Sequence, residues 1–252
     1  MKIIDLNYTI KPLEKDFDLA IVMPMYNEAD NIKIVLSDWN QTFVSLKLNV
    51  VFVLVNDGST DNTIKVIEDI SELNIVLLNK RNSGHGRSIR LGYDYTIDCI
   101  DTDYVLQIDS DGQCNPNYFK SFWDIRANYD FLIGSRISRG DGLIRLLTSR
   151  ISTLLSSIVV RKNLYDANTP YRLMRKKALK DIIEHIRPSF DIHNIAVTYV
   201  AYWLKLRIKR IDISFPERAG GENSINVRSV YHLGTNMLFE LSKLSKTLKK
   251  MD

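Results

Sequence analysis

Asp109 and Asp111 stand two positions apart at the end of the apolar run Tyr104–Ile108. On an extended backbone, residues at i and i+2 project to the same side. The two carboxylates can therefore share one hard divalent cation, Mg²⁺ or Mn²⁺, whose remaining positions go to water and phosphate oxygens. Gln113, two positions further on, offers another oxygen ligand or a hold on a metal-bound water. An Asp-x-Asp triplet in isolation is commonplace; its place at the end of an apolar strand is what gives this one weight.

Two further polar clusters follow apolar runs in the same way. Leu19–Met23 leads into Pro24-Met25-Tyr26-Asn27-Glu28, and Val50–Val55 into Asn56-Asp57-Gly58-Ser59-Thr60-Asp61. Each by itself reads as a tight turn and a helix cap. Three on one sheet edge, each with an acid, suit ligand binding, because open α/β sheets bind at the carboxyl ends of their strands. Glu28 and Asp57 can accept hydrogen bonds from a base N–H or from ribose hydroxyls, and Tyr26 offers an aromatic face beside them. Asn82-Ser83-Gly84-His85-Gly86 can bring backbone amides close to phosphate. It matches neither the P-loop nor the G-x-G-x-x-G pattern, which argues against a kinase or a dehydrogenase.

The elements that must position these residues alternate. Apolar runs at Leu19–Met23, Val50–Val55, Ile75–Leu78 and Tyr104–Ile108 are separated by helical periodicity over about Asp30–Val44, Asn62–Ser71 and Gly86–Ile97. Strand and helix in this rhythm predict βαβ units and a mostly parallel, Rossmann-like α/β sheet flanked by helices. Beyond Phe131–Gly134, Leu147, Ile151, Leu154 and Ile158 predict an amphipathic helix. Met237, Leu241, Leu244 and Leu248 predict another, with Lys243, Lys246, Lys249 and Lys250 among them. Both are expected to pack on the sheet; the lysines of the last also suit peripheral contact with an anionic membrane surface. Ile195–Leu204 reads as a buried helix. No linker divides the chain, so residues 1–252 are expected to form one domain, with a ligand-binding half at about 18–134 and a second half at about 135–252.

Composition narrows the function classes. Among 252 residues, 45% are apolar and 25% charged, ordinary for a globular protein, and the net charge of +4 is too small to argue for nucleic acid. Met1–Asp18 lacks the apolar stretch of a signal peptide, and nowhere do about 18 apolar residues run together. Cys99 and Cys114 have no metal-ligand spacing and are expected to be plain buried thiols. The expected setting is the cytoplasm.

The segments VMPMYNEADNI (22–32), VNDGSTDNT (55–63), NSGHGRSIRLGY (82–93) and VLQIDSDGQCNP (105–116) together resemble the family 2 glycosyltransferases of GT-A fold. The resemblance implies a nucleotide-sugar donor bound by Pro24, Tyr26, Glu28 and Asp57. It also implies that Asp109 and Asp111 hold Mg²⁺ or Mn²⁺, with Ser110 in the triplet that meets the donor's diphosphate. The second half is similar to the branch of dolichol-phosphate mannose synthases and bacterial polyprenyl-phosphate glycosyltransferases. Its likeness rests on Gly134-Ser135-Arg136, on Arg145 and Ser149, on DANTPYR (166–172) and on FPERAGGENS (215–224). Pro170-Tyr171 stands in place of that branch's Gly-Phe, and Ile225 in place of its final Lys.

The expected reaction is a single displacement at the anomeric carbon with inversion, the metal easing departure of the nucleoside diphosphate. A lipid-phosphate acceptor needs only cations to place it, and Arg136, Arg145 and Arg218 are candidate clamps. A sugar hydroxyl instead needs a general base, for which Asp191 and Glu217 are the expected acids in the second half. His85 and His193 are further candidates for a base because histidine as a residue type changes charge near neutrality, though a lone His is more often structural. A nucleotidyltransferase lacks support, because VMPMYNEAD has neither a Gly-rich loop nor a basic residue. A non-catalytic sugar-nucleotide binder is disfavoured by the acids at Asp57, Asp109 and Asp111.

Overall fold

The computed structural model describes residues 6–9, 16–139, 157, 166–190, 193–215 and 227–251. Eight strands form one sheet: β1 (Leu6–Thr9), β2 (Leu19–Met25), β3 (Val50–Asn56), β4 (Ile75–Asn79), β5 (Tyr104–Gln107), β6 (Phe131–Arg139), β7 (Arg172–Arg175) and β8 (Ile208–Phe215). Their spatial order is β1-β4-β3-β2-β5-β7-β6-β8. The block β4-β3-β2-β5 is parallel throughout. β7 runs antiparallel to both β5 and β6, β8 is parallel to β6, and β1 closes the other edge antiparallel to β4.

All seven residues of β2 and all seven of β3 are buried. Successive side chains leave a strand on opposite faces, and here both faces are covered. Ala20 and Val22 of β2 join one core, with α3 (His85–Cys99), α5 (Lys176–Ile183), α6 (His193–Trp203) and α7 (Val227–Leu248). Leu19, Ile21 and Met23 join the other, with α1 (Ile32–Ser45), α2 (Thr63–Glu68) and α4 (Phe119–Ile125). The unbroken aliphatic runs are the sequence signature of strands buried on both sides. The expected α/β architecture is the one observed.

The helices follow the apolar periodicity. Ile32, Val35, Leu36, Trp39 and Phe43 form the buried stripe of α1, where the Trp39, Phe43 and Phe119 rings pack within 6.0 Å of one another. α6 is buried along His193–Ala201, as expected for a helix that is apolar on most sides. On α7, Leu241, Leu244 and Leu248 are buried against the core while Lys243 and Lys246, and Lys249 and Lys250 just past its end, are exposed. Those three leucines of the expected stripe pack on the protein, while Phe239 of the same helix is exposed. Of the expected helix around Leu147–Ile158, all but Ser157 lies outside the described residues. No helix among the described residues is long and apolar enough to cross a membrane. One expectation needs correcting: Cys114 is buried, but Cys99, the last residue of α3, is exposed because its helix ends there at the surface.

Candidate active site

Strand order reverses direction at β2, which has β3 on one side and β5 on the other. At such a switch point the loops leaving adjacent strands part, and a crevice opens beyond the carboxyl ends. Here it is a cavity of about 720 Å³ lined by Pro24, Tyr26, Glu28, Asp57, Gly84, His85, Asp109, Ser110 and Asp111, among others. Residues far apart in sequence thus share one site because β2, β3 and β5 end side by side. The expected donor residues Pro24, Tyr26, Glu28, Asp57 and Ser110 and the metal candidates Asp109 and Asp111 all face it.

The walls are held by a lattice of short bonds between loops. Asn27 sits at φ 55, a left-handed conformation that Asn tolerates better than most residues. The amides of Asn27, Glu28 and Ala29 donate to Ser59 Oγ (2.9 Å), Thr63 Oγ1 (2.8 Å) and Asp61 Oδ2 (3.2 Å). In return the Thr60 amide donates to Asn27 Oδ1 at 2.8 Å. The turn residues after β3 therefore fasten the loop after β2, a role beyond simple capping. Partial burial pushes the Asp61 pKa up, but the hydroxyl and amide of Thr63 and the amide of Ala29 outweigh it and hold the carboxyl below its ordinary range.

Asp57 is more deeply engaged than its sequence context suggests. Only 6% exposed, it accepts from the amides of Ser83 (2.8 Å, Oδ1) and Gly84 (2.9 Å, Oδ2) and from the Lys80 ammonium. It thereby fixes the Asn82–Gly86 loop that opens α3, whose Asn82, Gly84, His85 and Ser88 form one wall of the cavity. Gly58 lets the two loops meet: its φ is 74, and a Cβ there would lie 2.8 Å from the Asn82 amide nitrogen. Lys80 carried no signal in the sequence, because its partner is 23 positions away.

His85 reaches from that wall toward the β5 loop, where its Nε2 is 3.5 Å from Asp109 Oδ1. His85 thus belongs to the site and is no isolated surface histidine. The backbone amide of Gln113 donates to Asp111 Oδ1 at 3.1 Å and so orients that carboxylate; Gln113 itself does not line the cavity. No cluster of three or more His, Cys, Asp or Glu side chains suited to a metal occurs among the described residues. What the chain offers is two carboxylates. This donor set fits Mg²⁺ or Mn²⁺, hard ions that take one or two carboxylates and complete their shells with phosphate and water.

The profile of glycosyl transferase family 2 matches residues 20–183, well over half of the chain and all of the cavity wall. The chain belongs to this family. As a family 2 glycosyltransferase it is similar to an uncharacterised protein of Methanocaldococcus jannaschii, 30% identical over 78% of this chain and 98% of the relative. It is also 25% identical to an undecaprenyl-phosphate 4-deoxy-4-formamido-L-arabinose transferase of Yersinia enterocolitica, over 87% of this chain and 66% of that one. An uncharacterised glycosyltransferase of Synechocystis, 30% identical over 68% of this chain, is covered over 55% of its length. The chain thus spans nearly the whole of one relative and about half of another. Among solved structures, Staphylococcus aureus TarS in complex with UDP-GlcNAc superposes with a TM-score of 0.59 at 22% identity, covering 87% of this chain and 66% of that one. Mycobacterium tuberculosis glucosyl-3-phosphoglycerate synthase with Mn²⁺, UDP-glucose and phosphoglyceric acid superposes at 0.63 and 13% identity, covering 91% and 80%. These likenesses carry the GT-A fold.

The second-half elements also converge. Gly134 donates its amide to the Tyr171 carbonyl at 2.8 Å, and a Cβ on it would lie 2.9 Å from Tyr171 Cβ and closer still to Ile213. Arg136 reaches both oxygens of Asp166, with Nε 3.0 Å from each and Nη2 closer still, and its amide donates to Oδ2 at 2.8 Å. Arg136 does not line the cavity. The residue expected to clamp an acceptor phosphate is engaged in a structural ion pair. Tyr171, in place of Phe, fills an aromatic cluster with Trp39 and Phe122. Arg172 is wholly buried and donates to the carbonyls of Thr169 (2.7 Å) and Ala167 and to the Thr198 hydroxyl (3.0 Å); burial pulls its pKa down to about 10. Arg145, Ser149, Asp191 and Arg218 lie outside the described residues.

Proposed function

We propose that this chain is an inverting, divalent-metal-dependent glycosyltransferase that draws on a uridine- or guanosine-diphosphate sugar and delivers the sugar to a polyprenyl phosphate. The observation that carries the donor half is the convergence of Glu28, Asp57, Asp109 and Asp111 on one cavity. Asp57 and Glu28 would take the nucleoside, Tyr26 its base face, and Pro24 and Ser110 would line its path. Asp109 and Asp111 would hold Mg²⁺ or Mn²⁺, which neutralises charge developing on the departing diphosphate. The N-terminal turn of α3 adds backbone amides and the His85 side chain beside the same charge. The Mn²⁺ and UDP-sugar complexes of the two structural neighbours support this reading.

Two observations support the acceptor: the Yersinia relative is named for an undecaprenyl-phosphate substrate, and lipid phosphate needs no base. With Arg136 committed to Asp166, a phosphate clamp falls to Arg145 and Arg218. The same ion pair favours a second reading, transfer to a sugar hydroxyl with Asp191 as general base.

The test is Mn²⁺-dependent release of nucleoside diphosphate from a panel of UDP- and GDP-sugars, with and without a polyprenyl phosphate. Asp111→Ala is expected to reduce turnover at least a thousandfold with the fold intact; retained turnover overturns the mechanism. Asp191→Asn is expected to leave transfer to the lipid largely unchanged. A loss of several orders of magnitude in that folded variant selects the hydroxyl reading.

A further inference from the structure

An ionised carboxylate offers about four acceptor positions, two on each oxygen. In Asp57, Oδ1 receives both the Lys80 ammonium and the Ser83 amide, and Oδ2 receives the Gly84 amide. One position remains, on Oδ2, in a residue that lines the cavity beside Tyr26. The occupant of the second Oδ1 position is firmly seated. Lys80 also donates its ammonium to the Arg81 carbonyl (3.2 Å) and its amide to the Asn56 carbonyl (3.1 Å), and its side chain is only 11% exposed. The close approach permitted by Gly58 leaves the latch little room to open.

We propose that Lys80 sets the base specificity of the donor site, making it select uracil over guanine. The inference rests on the donor-site reading above and adds which base that site takes. The hydrogen-bonding edge of uracil presents a single N–H, at N3, between two carbonyls. One free acceptor position on Asp57 satisfies it. Guanine presents two neighbouring donors, N1–H and the N2 amino group, whose natural partner is a carboxylate with a free position on each oxygen. With Oδ1 filled, Asp57 has no position for the second donor, and a site that leaves a polar group without its natural partner discriminates against the ligand that brings it.

The experiment is calorimetric titration of the full chain with UDP and with GDP in the presence of Mg²⁺. UDP is expected to bind at least about tenfold more tightly, the discrimination that one stranded donor supplies. GDP binding equally or more tightly overturns the proposal while leaving the donor-site reading in place; binding of neither nucleotide overturns both. Lys80→Met returns an acceptor position to Oδ1 and is expected to shrink the UDP-to-GDP ratio at least about threefold. An unchanged ratio in a variant with the wild-type circular dichroism spectrum removes Lys80 from the argument. Should that variant not fold, the wild-type ratio alone decides.

Discussion

Arg136 lies across Asp166 in a two-pronged ion pair that joins β6 to the turn before β7, with the Asp166 side chain 5% exposed and that of Arg136 15%. Breaking such a pair strands its partner, which is far more costly than never having had it. Asp166→Ala is expected to destabilise the chain by about 3 kcal/mol, read as a lower urea midpoint. Asp166→Leu combined with Arg136→Met is expected to recover most of that loss, since neither charge is then left buried alone. A single variant with the wild-type midpoint would show that the pair is not structural.

His193 is buried at the start of α6 against the Tyr93 ring, 5.7 Å between centroids, with neither ring nitrogen hydrogen-bonded among the described residues. Burial, with Arg90, Arg172 and His85 nearby, lowers its pKa from 6.5 to about 3. The unfolded chain therefore takes up a proton below pH 6.5 that the folded chain refuses. Stability from this group is complete above pH 6.5 and falls by about 1.4 kcal/mol per pH unit as the pH drops toward the folded value. His193→Phe, which keeps a ring beside Tyr93, is expected to flatten the dependence of the urea midpoint between pH 6 and pH 4. Equal slopes in the two proteins would contradict the neutral buried imidazole.

The two thiols differ in the same checkable way. Burial pushes the Cys114 thiol well above its ordinary pKa, and Asp109 beside it adds to the effect, whereas Cys99 is exposed. The thiolate is the reactive form. A disulfide reagent is expected to titrate one thiol per native chain, lost in Cys99→Ser, and the second only after unfolding.

Much of this was legible in the sequence for a definite reason. β2, β3 and β4 are largely apolar on both faces, β5 carries Val105 and Leu106 before Ile108, and each polar cluster follows directly on its strand, which places Glu28, Asp57 and Asp109 at one edge. β7 was not legible. It has four residues with arginine at both ends, and the reason Arg172 is tolerated in a core lies in carbonyls and a hydroxyl supplied from 166–169 and from α6. β8 alternates partly exposed residues along an edge and gives a weak apolar signal. Lys80 and the Arg136–Asp166 pair were missed because ionic partners are chosen by the folded chain and leave no periodicity behind.

The sheet order has a consequence for how this chain can be made and cut. β7 is the stitch between β5 and β6, yet it is synthesised after both. A nascent chain that ends after β6 already carries every acid of the cavity, but it lacks the strand that joins β5 to β6 in the sheet, so each presents an open row of amides and carbonyls. Severing the chain near residue 134, where the sequence changes character, would yield a sticky half-sheet and no separable nucleotide module. Modular exchange of acceptor specificity has to leave the stretch through Arg175 intact and work on what is threaded around it.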